Sequence, residues 1–219
     1  MNSTTNHLLE IQHLRFLTDN TFILRFNREN IQFKSGQYIT IKLKEFLQQR
    51  EYSIYSGENE NYIEILVRKI LNGFISLKLE NFQPGELIEI NGPFGFFKLN
   101  AGEMYSRSHI FIASGTGIAP FHSMIASNPG IDYTIIHGVR YINEAYDKND
   151  YDPGRYILCT SGEKDHNFFG RITSFLKNFK VEPDMMFYLC GNGNMIYDVY
   201  DILRKKSVLR ENIYSEVYF

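Results

Sequence analysis

The sequence predicts an all-β antiparallel barrel followed by an α/β Rossmann-like domain with a parallel five-stranded sheet, and two patterns along its 219 residues predict it. Up to about Leu99, short β-branched and aromatic segments recur at strand length, each closed by turn residues, as in a barrel or sandwich. After Gly92-Pro93 and the aromatic segment FGFFKL, apolar runs of buried-strand length alternate with helical patterns, as in a parallel sheet covered by helices. The change of pattern near residues 99–105 divides the chain into domains over residues 1–101 and 102–219, without a long linker, repeat or low-complexity run.

In the first part, TFILRF, QYITIKL, REYSIYS, YIEILVRKI and ELIEI read as strands, broken by Ser35-Gly36, Gly57-Glu58-Asn59 and Pro84-Gly85. Between Gly73 and Phe82, Ile75, Leu79 and Phe82 recur at helical spacing, which predicts a short helix among the strands. In the second part the strands are HIFIAS, DYTIIHG, RYILCTS and MMFYLCG, with NIYSEVYF as the last. The clearest helix runs from Asn194 to Lys206. It carries Ile196, Val199, Tyr200 and Leu203 on one face and basic residues in its last turn.

A net charge of -2 creates no field that would draw nucleic acid or an anionic membrane, so neither is expected as a partner. No apolar run approaches the roughly 20 residues of a membrane span, and the N-terminus lacks a leader pattern; a cytoplasmic location is expected. Cys159 and Cys190 are too few for a disulfide framework or a metal cage, and six scattered histidines show no metal spacing. His122 and His137 read as structural or nucleotide-proximal.

Chemistry concentrates in four places. Ser114-Gly115-Thr116-Gly117-Ile118-Ala119-Pro120 joins a strand to a helix, where glycines let a ligand approach the backbone, N–H groups are free for a phosphate and Pro120 suits the first helical turn. Pro120 stands where the usual dinucleotide fingerprint has its third glycine. Arg140 follows the second strand of this half, where NAD-binding folds often place an acid, and is either a partner for the 2′-phosphate of NADP or a solvated surface arginine. Cys190-Gly191-Asn192-Gly193-Asn194-Met195 forms a second glycine turn, and two such turns at the carboxyl ends of neighbouring strands imply a nucleotide cleft. Cys190 there is either at the ligand or a small core residue. In the first half, alternation puts Arg50 and Tyr52 on one face of a strand and Ser53 on the other, which suits an anionic planar cofactor and equally a cross-strand packing pair.

Taken in order, Arg50-x-Tyr52-Ser53, Gly73-x-x-Ser76, Gly115-Thr116-Gly117-Ile118-Ala119-Pro120, Cys190-Gly191-Asn192-Gly193 and Glu216-Val217-Tyr218 resemble the motifs of ferredoxin–NADP reductases, from about Arg50 to the end of the chain. The resemblance implies an FAD-binding barrel and an NAD(P)-binding α/β domain. By it, Arg50 meets the FAD pyrophosphate, Tyr52 the isoalloxazine, and Ser53 the same cofactor. Gly73, Phe74, Ile75 and Ser76 cap the pyrophosphate, while Ile65, Val67 and Arg68 line the flavin. Gly115, Thr116, Gly117, Pro120, Arg140, Arg171, Cys190, Gly191, Asn192 and Met195 hold NADP. Ser53, Cys190 and Glu216 surround the reacting atoms, the flavin N5 and nicotinamide C4. Tyr218 matches the family's flavin-covering tyrosine, and Phe219 extends one residue beyond it, so either ring is a candidate for that place.

Nucleotide choice departs from the family pattern. NADP-specific relatives often carry Ser-Arg after the third strand, and this chain has Ser161-Gly162-Glu163-Lys164. Arg140, Lys164 and Arg171 remain as cations for a 2′-phosphate, so NADPH is expected over NADH. The implied activity is electron transfer between NADPH and ferredoxin or flavodoxin through FAD. The alternatives are an NADH-dependent oxygenase or flavin reductase and an FAD-binding electron-transfer subunit of a larger enzyme. Eleven basic and eleven acidic residues through Lys98 give no net steering toward a carrier.

Overall fold

The computed structural model describes residues 6–43, 49–70, 73–164 and 167–218. Contacts divide the chain into two compact units, Met1–Lys98 with Ala119–Pro129, and Leu99–Ile118 with Gly130–Phe219.

The first unit is built on β1 (Asn6–Thr18), β2 (Thr21–Asn27), β3 (Tyr38–Lys42), β4 (Gln49–Ser53), β5 (Tyr62–Arg68), the helix α1 (Phe74–Leu79) and β6 (Leu87–Phe94). Its sheet runs β4-β3-β6-β1-β2-β5, with every pairing antiparallel. The bridge between Ile54, just past β4, and Ile65 of β5 brings the two ends of the sheet together, which closes a barrel. Leu9, Ile11, Phe22, Leu24, Ile39, Ile65 and Ile90 are fully buried in its core, and α1 seals it with Ile75 and Leu79. The helix forms at the spacing read from Gly73 to Phe82, and Phe82 packs against the same core. Sequence reasoning passed over β1. Of its 13 residues only Leu9 and Ile11 are fully buried, so the polar residues around them hide the alternation.

The helix α2 (Ala119–Ser127) groups with this unit and is tied to the segment after β4. Its Ser123 hydroxyl donates to the Ser56 carbonyl at 2.6 Å, the Ser127 hydroxyl accepts from the Glu58 amide at 2.9 Å, and the His122 ring stacks on Tyr55 at 3.8 Å.

The second unit orders its sheet β10-β9-β8-β7-β11-β12 from β7 (Ser108–Ser114), β8 (Asp132–Val139), β9 (Tyr156–Thr160), β10 (Phe168–Phe169), β11 (Met185–Asn192) and β12 (Ile213–Tyr218), all parallel. The expected five strands become six because the two-residue β10 adds an edge. The helices α3 (Ile172–Asn178) and α4 (Gly193–Lys205) follow β10 and β11. They bury Ile172, Leu176, Ile196, Val199 and Leu203 against Ile110, Ile112, Ile136, Phe187 and Leu189 on one sheet face. The helix α4 forms where its periodicity is strongest. The Asn192 side chain caps its amides at Asn194 and Met195, and Arg204 and Lys205 complement the dipole at its end. No helix among the described residues is long and apolar enough to cross a membrane.

Leu203 is fully buried between α4 and the sheet. Leu203→Ala is expected to cost about 2–5 kcal/mol, read as a lower midpoint in equilibrium urea unfolding, through lost burial and the cavity it leaves.

Candidate functional site: a barrel seam and two interlocked glycine turns

The barrel is incompletely zipped. Just past β4, its chain is joined to β5 by the Ile54–Ile65 bridge, the bond from the Tyr55 amide to the Glu64 carbonyl, 2.7 Å long, and the bond from the Glu64 amide to the Ser56 hydroxyl, 3.0 Å long. Carried back along both chains, that antiparallel register sets Glu51–Ser53 opposite Leu66–Arg68, and Arg50 opposite Lys69, across a seam with no ladder between them. Main-chain donors and acceptors on such an edge are open to a ligand. Arg50 pairs with Ile41 and Tyr52 with Ile39, so both lie on one face, as the alternation predicts. Tyr52 packs half-buried on the core, and burial raises its hydroxyl pKa above the ordinary value, opposed by the Arg50 charge. Ser53 is buried. Arg68 ends β5 exposed, whereas the Ile65 and Val67 side chains are fully inside the barrel, so these two can meet a ligand at the seam only through their main chain.

At the start of α1, the Ser76 hydroxyl accepts from the Ile70 amide at 3.1 Å and donates to the Gly73 carbonyl at 3.2 Å. No side chain caps the helix, and its first intrahelical bond runs from the Leu77 amide to Gly73. The amides of Phe74, Ile75 and Ser76 thus precede the helix's first internal bond. Phe74 is exposed while Ile75 points into the core.

In the second unit the chain order reverses between β7 and β11, which makes their carboxyl ends the topological switch point. The turns leaving these two strands interlock. A Cβ on Gly117 would lie 2.4 Å from the Cys190 carbonyl oxygen, and one on Gly191, whose φ is +126, would lie 2.3 Å from the Ser114 hydroxyl. The Asn192 amide donates to that hydroxyl at 2.9 Å. Gly115 adopts φ +54 and its carbonyl meets His137 Nε2 at 2.8 Å. Thr116 lies in the same one-turn helix, Gly115–Ile118, and Pro120 is the second residue of α2. The geometry leaves a backbone cradle fit for a phosphate at the switch point. Asn192 spends its side-chain oxygen capping α4, and Met195 packs on the core.

Cys190 and Glu216 come together as partners in the β11–β12 register, while Ser53 belongs to the first unit. Burial pushes the Cys190 thiol well above its ordinary value, the Glu216 carboxylate adds to this, and hydrogen bonds with the Tyr218 side chain and the Gly191 backbone oppose it. Burial and the neighbouring carboxylate thus favour the neutral thiol at Cys190. Tyr218 ends β12 half-buried, and Phe219 lies outside the described residues.

Arg140 is exposed just past β8, over the Tyr141 ring at 5.3 Å. Its carbonyl accepts from the Gly162 amide at 2.8 Å, and a Cβ on Gly162 would meet it, so the turns after β8 and β9 lie against each other. Arg171, exposed, opens α3 past β10. Two carboxylates that sequence reasoning gave no role sit on the same turn. Glu144 accepts from the Arg140 and Tyr141 amides, each at 2.9 Å, and Glu163 accepts from the Ile142 amide. Their only sequence signal is acidity in a turn.

The chain is similar to known proteins in sequence and in fold. Residues 9–99 match the family model of the oxidoreductase FAD-binding domain. The flavodoxin/ferredoxin–NADP reductase of Buchnera aphidicola subsp. Schizaphis graminum is 32% identical, over 90% of this chain and 89% of that protein. The flavohemoprotein of Bacillus subtilis is 27% identical over 85% of this chain, which spans about half (52%) of that relative. A ferredoxin NADP+ reductase from Neisseria gonorrhoeae, solved with bound FAD and NADP, shares the fold with a TM-score of 0.85 at 23% identity, covering 98% of this chain and 99% of that one. The chain belongs to the ferredoxin–NADP reductase family of FAD-dependent oxidoreductases.

Gly117→Ala and Gly191→Ala should each destabilise the protein by about 1–3 kcal/mol in urea unfolding, because backbone or a tied hydroxyl occupies the space. Gly130→Ala meets nothing within 4 Å of its Cβ, and its cost should come from backbone strain at φ +92 alone, about 1 kcal/mol. His137 has its pKa lowered from 6.5 to about 4, chiefly by burial. The folded state resists protonation that the unfolded state accepts, so this stability is present above pH 6.5 and is lost as pH falls toward 4. The loss amounts to about 3 kcal/mol. Over that window, the unfolding free energy of wild type should fall more steeply with decreasing pH than that of His137→Gln.

Proposed function

We propose that the protein is an NADPH-dependent reductase that passes electrons to ferredoxin or flavodoxin through FAD, in a reducing, cytoplasmic compartment. The observations that carry the reading are, in the first unit, a barrel seam flanked by Arg50–Ser53 and Leu66–Arg68 and, in the second, a glycine cradle at the switch point of a parallel sheet. Bound FAD supplies the conversion between a two-electron hydride and single electrons. Tyr52 and Ser53 with the seam's main chain orient the isoalloxazine, and Arg50 and the first turn of α1 take the pyrophosphate. The turn at Gly115–Ile118 holds the nucleotide phosphates. Cys190, neutral at the end of β11, adds no charge beside the nicotinamide, and Glu216 beside it supplies the carboxylate of the site. Arg140 and Arg171 take the 2′-phosphate.

A second reading, an NADH-dependent reductase, is favoured by Gly162 in place of an arginine and by the Glu144 and Glu163 carboxylates on the turn after β8. Steady-state kinetics with each nucleotide separates the two. NADPH is expected to show the higher kcat/KM, and Arg140→Ala should lower that value about tenfold while changing NADH turnover less, as the loss of one charge-assisted contact predicts. A higher kcat/KM for NADH in the wild type would replace the first reading with the second.

A further inference from the structure

His137, which the sequence leaves as structural or nucleotide-proximal, lies on β8 beside the nucleotide turn. It is completely buried, with Nε2 at 2.8 Å from the Gly115 carbonyl oxygen and Nδ1 at 2.7 Å from the Tyr156 hydroxyl. A carbonyl only accepts, so Nε2 carries the proton and donates. In the neutral ring Nδ1 is then the acceptor, and the Tyr156 hydroxyl donates to it. The ring is further enclosed by Tyr146, whose centroid is 6.1 Å away, and Tyr156 in turn stacks on Tyr151 at 5.3 Å.

The consequence follows from the planar trans peptide. The Gly115 carbonyl and the Thr116 amide share one peptide unit and point in opposite directions. With the carbonyl anchored to His137, the Thr116 N–H is aimed away from that ring. A glycine at φ +54 can adopt this orientation but does not enforce it, since glycine populates many others. We propose that His137 is a positioning residue for the nicotinamide-nucleotide turn, fixing through the Tyr156–His137–Gly115 relay the direction in which the Thr116 amide meets a bound phosphate. This rests on the reading of Gly115–Pro120 as the phosphate turn. The Asn192–Ser114 bond holds the turn from the β11 side and the one-turn helix Gly115–Ile118 holds it from within, while His137 is the side chain that meets the Gly115 carbonyl.

The test is calorimetric binding of NADP+ to the flavin-loaded protein, together with NADPH steady-state kinetics, for His137→Phe, His137→Gln, Tyr156→Phe and Leu203→Ala. His137→Phe removes the donor and should weaken NADP+ binding and raise KM about tenfold, the size of effect seen when an orienting hydrogen bond behind a ligand-binding group is lost. Its kcat at saturation and its flavin content should stay within about twofold, the split expected when only binding is lost. His137→Gln keeps an N–H and should recover most of the affinity. Tyr156→Phe removes only a hydroxyl from the relay and should show a smaller loss of affinity in the same direction. Leu203→Ala destabilises the opposite face of the sheet and should leave KM unchanged. Wild-type affinity in both His137→Phe and Tyr156→Phe, or an equal loss in Leu203→Ala, would overturn the positioning role. Wild-type protein that binds neither NADP+ nor NAD+ overturns the nucleotide reading itself, and the relay's role with it.

Discussion

The second unit depends on a steric constraint, the contact of two glycine turns at the switch point of its sheet. The Cβ position of Gly117 lies 2.4 Å from the carbonyl of Cys190, and that of Gly191 lies 2.3 Å from Ser114, so neither residue tolerates a side chain. The contact brings the carboxyl ends of β7 and β11 together at backbone distance. Around it the polar anchors fall into place: Asn192 to Ser114, His137 to Gly115, and the Cys190–Glu216 register that continues the sheet into β12. A glycine in such a place serves packing between turns as much as approach of a ligand, and here one residue type answers both needs.

Much of this was legible in the chain. The helix α4 declared itself because its apolar stripe and its basic last turn agree, and such agreement between levels marks reliable elements; the structure adds the Asn192 cap. The parallel strands read as continuous apolar runs because both faces of the sheet are covered. The strand β1 did not, since only Leu9 and Ile11 are fully buried and no period emerges from two positions. The glycine turns could be found from sequence because they are local. The seam between β4 and β5 could not, because it is a missing ladder between segments whose pairing depends on the whole barrel.

Side-chain roles divide along the same line. Arg50 and Tyr52 share a face, as a two-residue period requires. The same period places the Ile65 and Val67 side chains inward, in the barrel core, and leaves their backbone to border the seam. His137, Glu144 and Glu163 act through contacts with Gly115, Arg140, Tyr141 and Ile142 that no spacing rule reveals. The acids also set an electrostatic tension at the turn after β8. They satisfy its amides while adding negative charge near Arg140, so a 2′-phosphate there would be held by cations working against fixed carboxylates.

A flavoenzyme that accepts a hydride from a nicotinamide nucleotide is the centre of this account. Its most direct test is an anaerobic absorbance titration of the purified protein with NADPH. The account predicts a flavin spectrum in the resting protein that bleaches as NADPH is added. A protein that carries no flavin, or one whose flavin stays oxidised with both NADPH and NADH, would contradict it.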